Sequence, residues 1–404
     1  MRVSVARCLC LTHVFYKVTT PWFLNPIPWR IILFSTTIWA KIMSEKISIT
    51  PFAIVGLIGS TLLALLTLPF AFNQFFSFWV GIYGLMLLLA YPDKQSLQQL
   101  IFVPIIPSFL ASLLYYWSME IAFTPSSLIF FSAFALNAWQ IQYQKNGFSV
   151  SYSTLFHAVW DTFIKLCITA FFVLLCWIIL LLCDELFKLI QINFIHTLIN
   201  KKWFDIFVSG IFSSTGLYIA SLSDKVIGNI RAILILICRY LLIPLSIIGI
   251  VFIVFSTISA IQKHTLPTNY LTFMAIAFLS ALFLNGVYQD GQTNDLYPRF
   301  LFWICRVFIW ITPLFTALAL RSLYFHEFST TIFPDCLNAS VLLTYNIVYA
   351  IIAMGWQKPL FKPIEKANVV LSILLIATTL LSTNPLVTKR IPTVQYPIIN
   401  KLAQ

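Results

Sequence analysis

Long apolar stretches divided by short polar turns recur from about residue 50 to about residue 380, and they govern the reading of the whole chain. Runs close to the roughly 20 residues needed to cross a bilayer repeat where a soluble helix would alternate apolar and polar faces. About eleven spans follow from this pattern. Residues 51–72 and 75–91 are separated only by Asn73-Gln74, which predicts a tight hairpin. Residues 100–117 carry Pro104 and Pro107, which membrane helices tolerate when neighbours satisfy the freed carbonyls. Residues 121–139 form the fourth span, 140–161 a polar link, and 162–183 a fifth span stopped by Asp184-Glu185. The remaining spans are 206–222, 232–257, 270–288, 300–320, 336–356 and 367–381.

Between the fifth and sixth spans the pattern changes in kind. Leu186, Phe187, Leu189, Ile190, Phe194, Ile195 and Leu198 alternate with Lys188, Gln191, Asn193, His196, Lys201 and Lys202. That mixture predicts an amphipathic helix over 186–203 lying in the membrane interface.

Composition sharpens the class. Of 404 residues, 60% are hydrophobic and 9% charged, whereas soluble domains carry about a quarter charged residues. A water-soluble fold could not cover this much apolar surface, so the expected fold is all-α, a polytopic membrane bundle. The net charge of +12 comes from Lys and Arg scattered through short loops with no run of five or six. It therefore reads as membrane topology, with membrane lipids as partners and no nucleic acid. The eight cysteines form no Cys-x-x-Cys pair, so neither a disulfide framework nor a zinc site is read, and no cofactor is assigned.

Residues 1–42 carry Arg2, Arg7, Lys17, Arg30 and Lys41 without an acid, and their best apolar run, 31–40, is too short to span. The sequence predicts Met43 as the true start. The organisation expected is an extension over 1–42, a four-helix segment over 43–145, a bundle of about seven helices over 146–381, and a polar tail over 382–404. With the amino terminus inside, the cytoplasmic turns hold Lys94, Lys145, Lys225, Arg231, Arg299, Lys358, Lys362 and Lys366. The opposite side keeps Lys188, Lys201, Lys202, Lys263, Arg321, Lys389, Arg390 and Lys401. The bias favours an inner-membrane protein with a cytoplasmic amino terminus.

Charge inside the spans is rare, so Arg239 and Arg306 stand out: an intramembrane guanidinium costs about 3 kcal/mol or more and demands a reason. Each sits about 10 Å inside its span's cytoplasmic end. One reading is structural, by snorkelling or pairing with Asp224, Asp290 or Asp295. The other is a basic pocket formed by Arg239, Arg306 and Lys225 for an anionic head group or solute. Asn285, Tyr288 and Gln289 fall at helical spacing where the eighth span ends, with Asp290 beside them. They either cap that helix or line a polar entrance. Asp161 and Lys165 are spaced for an ordinary i, i+4 ion pair. Ile237-Cys238-Arg239 ahead of Pro244 echoes Ile304-Cys305-Arg306 ahead of Pro313, a pattern that fits either a parallel repeat or the common vocabulary of membrane helices.

No HExxH, GxSxG, GxxxxGK[ST] or GxGxxG motif occurs. His157, His196, His264 and His326 are dispersed, and no metal ligand set is read. The span centres hold almost no acid, base or nucleophile, so the sequence leans away from an enzyme and names no catalytic residue.

Phe156-His157-Ala158-Val159-Trp160, Leu186-Phe187-Lys188-Leu189-Ile190, the stretch Asn285-Gly286-Val287-Tyr288-Gln289-Asp290-Gly291, and Asn384-Pro385 with Gln395 in the tail resemble the bacterial inner-membrane family called domain of unknown function 4153. The likeness runs from about residue 155 to the carboxyl end. It implies an envelope membrane protein and carries over no binding residues. Two roles are then expected to compete. A transporter of an anionic or lipidic substrate needs a water-filled cavity among spans six to nine, and a scaffold for other envelope proteins needs a dry bundle with an exposed apolar groove.

Overall fold

The structure, a computed structural model, describes residues 49–66, 74–90, 97–121, 126–190, 194–263, 270–288, 297–326, 333–354 and 363–384. The extension over 1–42, nearly all of the tail, Gln289, Asp290 and the Met43 start lie outside the described residues. Every described element is a helix: α1 Thr50–Leu66, α2 Gln74–Ala90, α3 Leu97–Phe102, α4 Ile105–Ile121, α5 Ser126–Asn146, α6 Tyr152–Leu189, α7 Phe194–Ile199, α8 Lys202–Ser221, α9 Asp224–Lys263, α10 Tyr270–Tyr288, α11 Arg299–His326, α12 Phe333–Met354 and α13 Pro363–Thr383. Among the described residues, eight helices are long and apolar enough to cross a membrane, and α1 and α2 are shorter apolar helices. Many of their large side chains, such as Phe171, Ile179, Ile248 and Phe255, are exposed. Exposed apolar side chains all round a helix are stable only in lipid, so this is a multi-pass membrane protein.

Two boundaries differ from the sequence reading for physical reasons. The polar link over 140–161 is helical at both ends: α5 continues to Asn146, turns through Gly147 at φ 60°, and α6 opens at Tyr152 behind the Ser151 cap. Its amides stay helical because they find partners inside the protein. Gln140 donates to the Met86 carbonyl at 3.2 Å, Gln142 to Ser149 O at 2.5 Å, and Asn146 to Thr154 Oγ1 at 2.9 Å. The interfacial helix expected over 186–203 is also corrected. Residues 186–189 extend α6, and only the six residues of α7 stand alone before α8 begins. Lys188 and His196, which the amphipathic reading placed in water, instead both meet Asp184 Oδ2, at 2.9 and 3.1 Å, and join the two helix ends.

Small residues set the closest approach. Gly56 on α1 lies against Ser214 of α8, and Gly210 of α8 lies against Ser60 of α1, a reciprocal pairing that antiparallel helices with matched Gly-x-x-x-Ser spacing produce. A Cβ on Gly210 would come within 2.6 Å of Ser60 Cβ and 3.3 Å of its Cα, so backbone as well as side chain must move. Gly210→Ala is expected to cost about 1 to 2 kcal/mol, read as a lowered unfolding midpoint in detergent. An unchanged midpoint would show that this approach carries no stability. This packing, together with that of α13 on α4 and α5, ties α1, α2, α4 and α5 to the later helices within one compact unit.

Between α9, α10 and α11 the interior is filled by aromatic rings. Phe273, Phe308 and Phe315 are fully buried, and Phe252 stacks on Phe315 at 6.3 Å. Gly249 leaves the space that the Phe308 ring occupies. On the other side of α10, its carboxyl end meets α12 and α13, which pack in turn on α5 and α6. The carboxyl ends of α5, α8, α10 and α12 and the amino ends of α6, α9, α11 and α13 fall at one end of the bundle, and the polar chemistry gathers there.

Candidate functional site: an apolar groove over a ring of amides and phenols

Asn285 lies one turn before the end of α10, where backbone carbonyls lose their intrahelical partners. Its Nδ2 donates back to the Ala281 carbonyl at 2.9 Å and outward to Tyr349 Oη on α12 at 2.7 Å. Tyr349, 2% exposed, donates on to Asn368 Oδ1 of α13 at 2.6 Å. Asn368 Nδ2 then returns a hydrogen bond to Asn285 Oδ1 at 2.6 Å and gives another to Tyr152 Oη, at the head of α6, at 2.9 Å. Four helices are thus joined through a closed ring in which both amides use both donors. Hydrogen bonds of this kind hold membrane helices at fixed register because the alternative is an unsatisfied polar group in hydrocarbon. Tyr288 lies one turn closer to the helix end and donates to Glu365 Oε1 at 3.3 Å.

Above this ring lies a groove of about 270 Å³. Its walls come from α5, α6, α10, α12 and α13: Ala135, Ala138 and Trp139; Leu155, Phe156, Val159 and Trp160; Leu282; Tyr345; Val369 and Ser372. Trp139 donates to Ser372 Oγ at 3.1 Å and pins α5 to α13 beside it. The groove carries no formal charge. Tyr345 is among the residues that line it, and its hydroxyl makes no hydrogen bond to a described residue. Val159 and Leu282 at its margin are 37% and 38% exposed, so the groove opens sideways on the bundle surface.

The cations anticipated for one basic pocket take up separate surroundings. Arg306, 3% exposed, turns toward α12, donating from Nε to the Ala353 carbonyl at 2.7 Å and from Nη2 to Met354 O at 3.3 Å. Its guanidinium also lies 5.0 Å from the Trp303 ring centroid and 5.3 Å from that of Trp310. Arg239 is half-buried over the Tyr297 ring at 5.6 Å, while the Tyr297 hydroxyl donates to its backbone carbonyl. Lys225 is exposed on the first turn of α9. Asp161 pairs with Arg231 of α9 at 2.5 Å, tying α6 to α9.

Of the residues singled out in the sequence, Asn285 enters the groove and Tyr288 sits beside it. Tyr152, Tyr345, Tyr349 and Asn368 were missed. Asn368 had a signal, an amide inside an otherwise apolar run that starts with Ala367. The tyrosines had none, because membrane helices carry phenols at their ends for interfacial reasons alone. Among the described residues, no group of three His, Cys, Asp or Glu side chains is placed to hold a metal ion. No family model, curated protein or solved structure matches this chain.

Proposed function

We propose that this membrane protein binds an amphipathic, lipid-like molecule in the groove between α5, α6, α10, α12 and α13, taking its apolar part along Leu155, Val159 and Leu282. One observation carries the reading: a laterally open, largely apolar groove whose floor is a rigid array of neutral hydrogen-bonding groups. Ligand sites have this character, apolar walls with a few placed polar groups. A neutral head group fits better than an anionic one, since Arg239, Arg306 and Arg231 are engaged elsewhere and none of them lines the groove. Holding a lipid fits better than moving a solute, because within the region of spans six to nine where a transport cavity was anticipated, the space among α9, α10 and α11 is packed with Phe273, Phe308 and Phe315. The setting we infer is a bacterial inner membrane, crossed about eleven times with a cytoplasmic amino terminus, in keeping with the resemblance to domain of unknown function 4153.

The test is the lipid content of protein purified in mild detergent, read by native mass spectrometry. Wild type is expected to retain a lipid that Ala135→Trp, which fills the groove from α5, releases while keeping the wild-type unfolding midpoint. If the lipid load is the same in both, the groove is no binding site. A second reading is a scaffold for another envelope membrane protein, favoured by the same exposed apolar margin at Val159 and Leu282. It is preferred if a protein, with no lipid, leaves on groove filling.

A further inference from the structure

We infer that the molecule held in the groove is a neutral lipid with a flat, carbonyl-bearing ring as its head, of the quinone class. The inference rests on the groove being a lipid site, as proposed above, and adds which lipid. Three features of the lining select the head group.

The first is size. A space of about 270 Å³ admits a ring with a few small substituents. Its chain would trail out past Val159 and Leu282 into the bilayer.

Aromatic density is the second. Trp139, Phe156, Trp160, Tyr152, Tyr345 and Tyr349 face the groove from three directions. Flat unsaturated rings gain from offset or edge-on contact with such walls beyond simple area burial. A saturated chain or a branched alcohol draws no such benefit.

Hydrogen-bonding valence is the third. The amides of Asn285 and Asn368 and the Tyr349 hydroxyl are spent on one another, so the floor of the groove is closed to a ligand that needs several partners. Tyr345 differs: it lines the groove, and its hydroxyl makes no bond to a described residue. A phenol O–H with bonding capacity to spare, among lining residues that include no Lys or Arg, suits a neutral acceptor such as a ring carbonyl. It does not suit a phosphate, which needs Lys or Arg.

The experiment uses the full-length protein in nanodiscs and a short-chain alkyl benzoquinone, with bound probe measured by equilibrium dialysis and the cross-linked site mapped with an azido derivative. Saturable binding is expected, with label on α5, α6 or α12 beside the groove. Tyr345→Phe is expected to weaken binding about three- to tenfold, the range for one neutral hydrogen bond, without moving the unfolding midpoint. Ala135→Trp is expected to abolish binding. If a phospholipid co-purifies and is released by Ala135→Trp while the quinone shows no saturable binding, the ring-head assignment is overturned and the lipid site stands. Quinone uptake that neither variant changes is mere partitioning into the bilayer and overturns it too. If no lipid of any kind responds to Ala135→Trp, both readings fall together.

Discussion

Arg306→Met is expected to produce the largest loss of stability of any single change in the carboxyl-terminal helices, about 3 kcal/mol or more. Arg306 sits seven residues after the start of α11, about 10 Å along the helix, where a charge survives only if its partners are already there. The partners are the carbonyls of Ala353 and Met354 at the end of α12. Those carbonyls have no intrahelical donor and lie at the negative end of the helix dipole. Methionine would fill the volume between Trp303 and Trp310 but remove the donor to the buried Ala353 carbonyl and to the part-buried Met354 carbonyl. The loss divides into charge-assisted hydrogen bonds and the attraction of the guanidinium for two indole faces, each amounting to about 1 to 3 kcal/mol alone and less in sum because they are made by one group. Arg306→Lys, which keeps charge but not the planar fork, should recover only part. Arg239→Met, at a half-exposed guanidinium facing one tyrosine ring, should lower stability by about 1 kcal/mol at most. Unfolding midpoints in detergent read all three. An Arg306→Met protein that melts with wild type would mean that the guanidinium does not clamp α11 to α12.

The second large effect is expected at Asn368. Replacing it by leucine removes three hydrogen bonds at once, those with Tyr349, Tyr152 and Asn285. Interhelical side-chain bonds in membranes run from about 0.6 to 1.7 kcal/mol each, and because one group makes all three the sum is not fully realised, which puts Asn368→Leu at about 2 to 4 kcal/mol. The ring makes a more specific demand than the total. Once Asn368 is gone, Tyr349→Phe should cost markedly less than it does in wild type, because its acceptor has already been lost. Additive losses in the double variant would show that the hydrogen bonds act singly and the ring has no collective strength. Proteolytic susceptibility of the turn between α12 and α13, compared with that at α2, gives an independent readout of where the loosening occurs.

How much of this was visible beforehand differs from element to element. The spans from 270 to 288 and from 300 to 320 were legible because apolar run length is a direct consequence of bilayer thickness, and α10 and α11 cover them. The helical course of Gln140, Gln142 and Asn146 was not legible. A polar run beside a membrane span looks like a loop until its acceptors, Met86 O, Ser149 O and Thr154 Oγ1, are known, and one of these lies more than 50 residues away. Arg306 could be recognised as anomalous from its depth, yet its partners are backbone carbonyls, which no side-chain pattern announces. The groove itself depends on α5 and α6 meeting α10, α12 and α13, a meeting between residues more than 200 positions apart, such as Tyr152 and Asn368.

Asn368 belongs to α13, which follows every other described helix in synthesis, and this carries a consequence for biogenesis. While the ribosome is still delivering the preceding segments, Asn285 and Tyr349 sit in the nascent bundle without the amide that later closes their circuit. The arrival of α13 against α5 and α12, through Ser132 with Thr379 and Trp139 with Ser372, therefore acts as a late latch that completes both the cross-links and the cleft. Until it docks, the Asn285 amide oxygen lacks the donor that Asn368 supplies, and the cleft lacks the wall that Val369 and Ser372 provide.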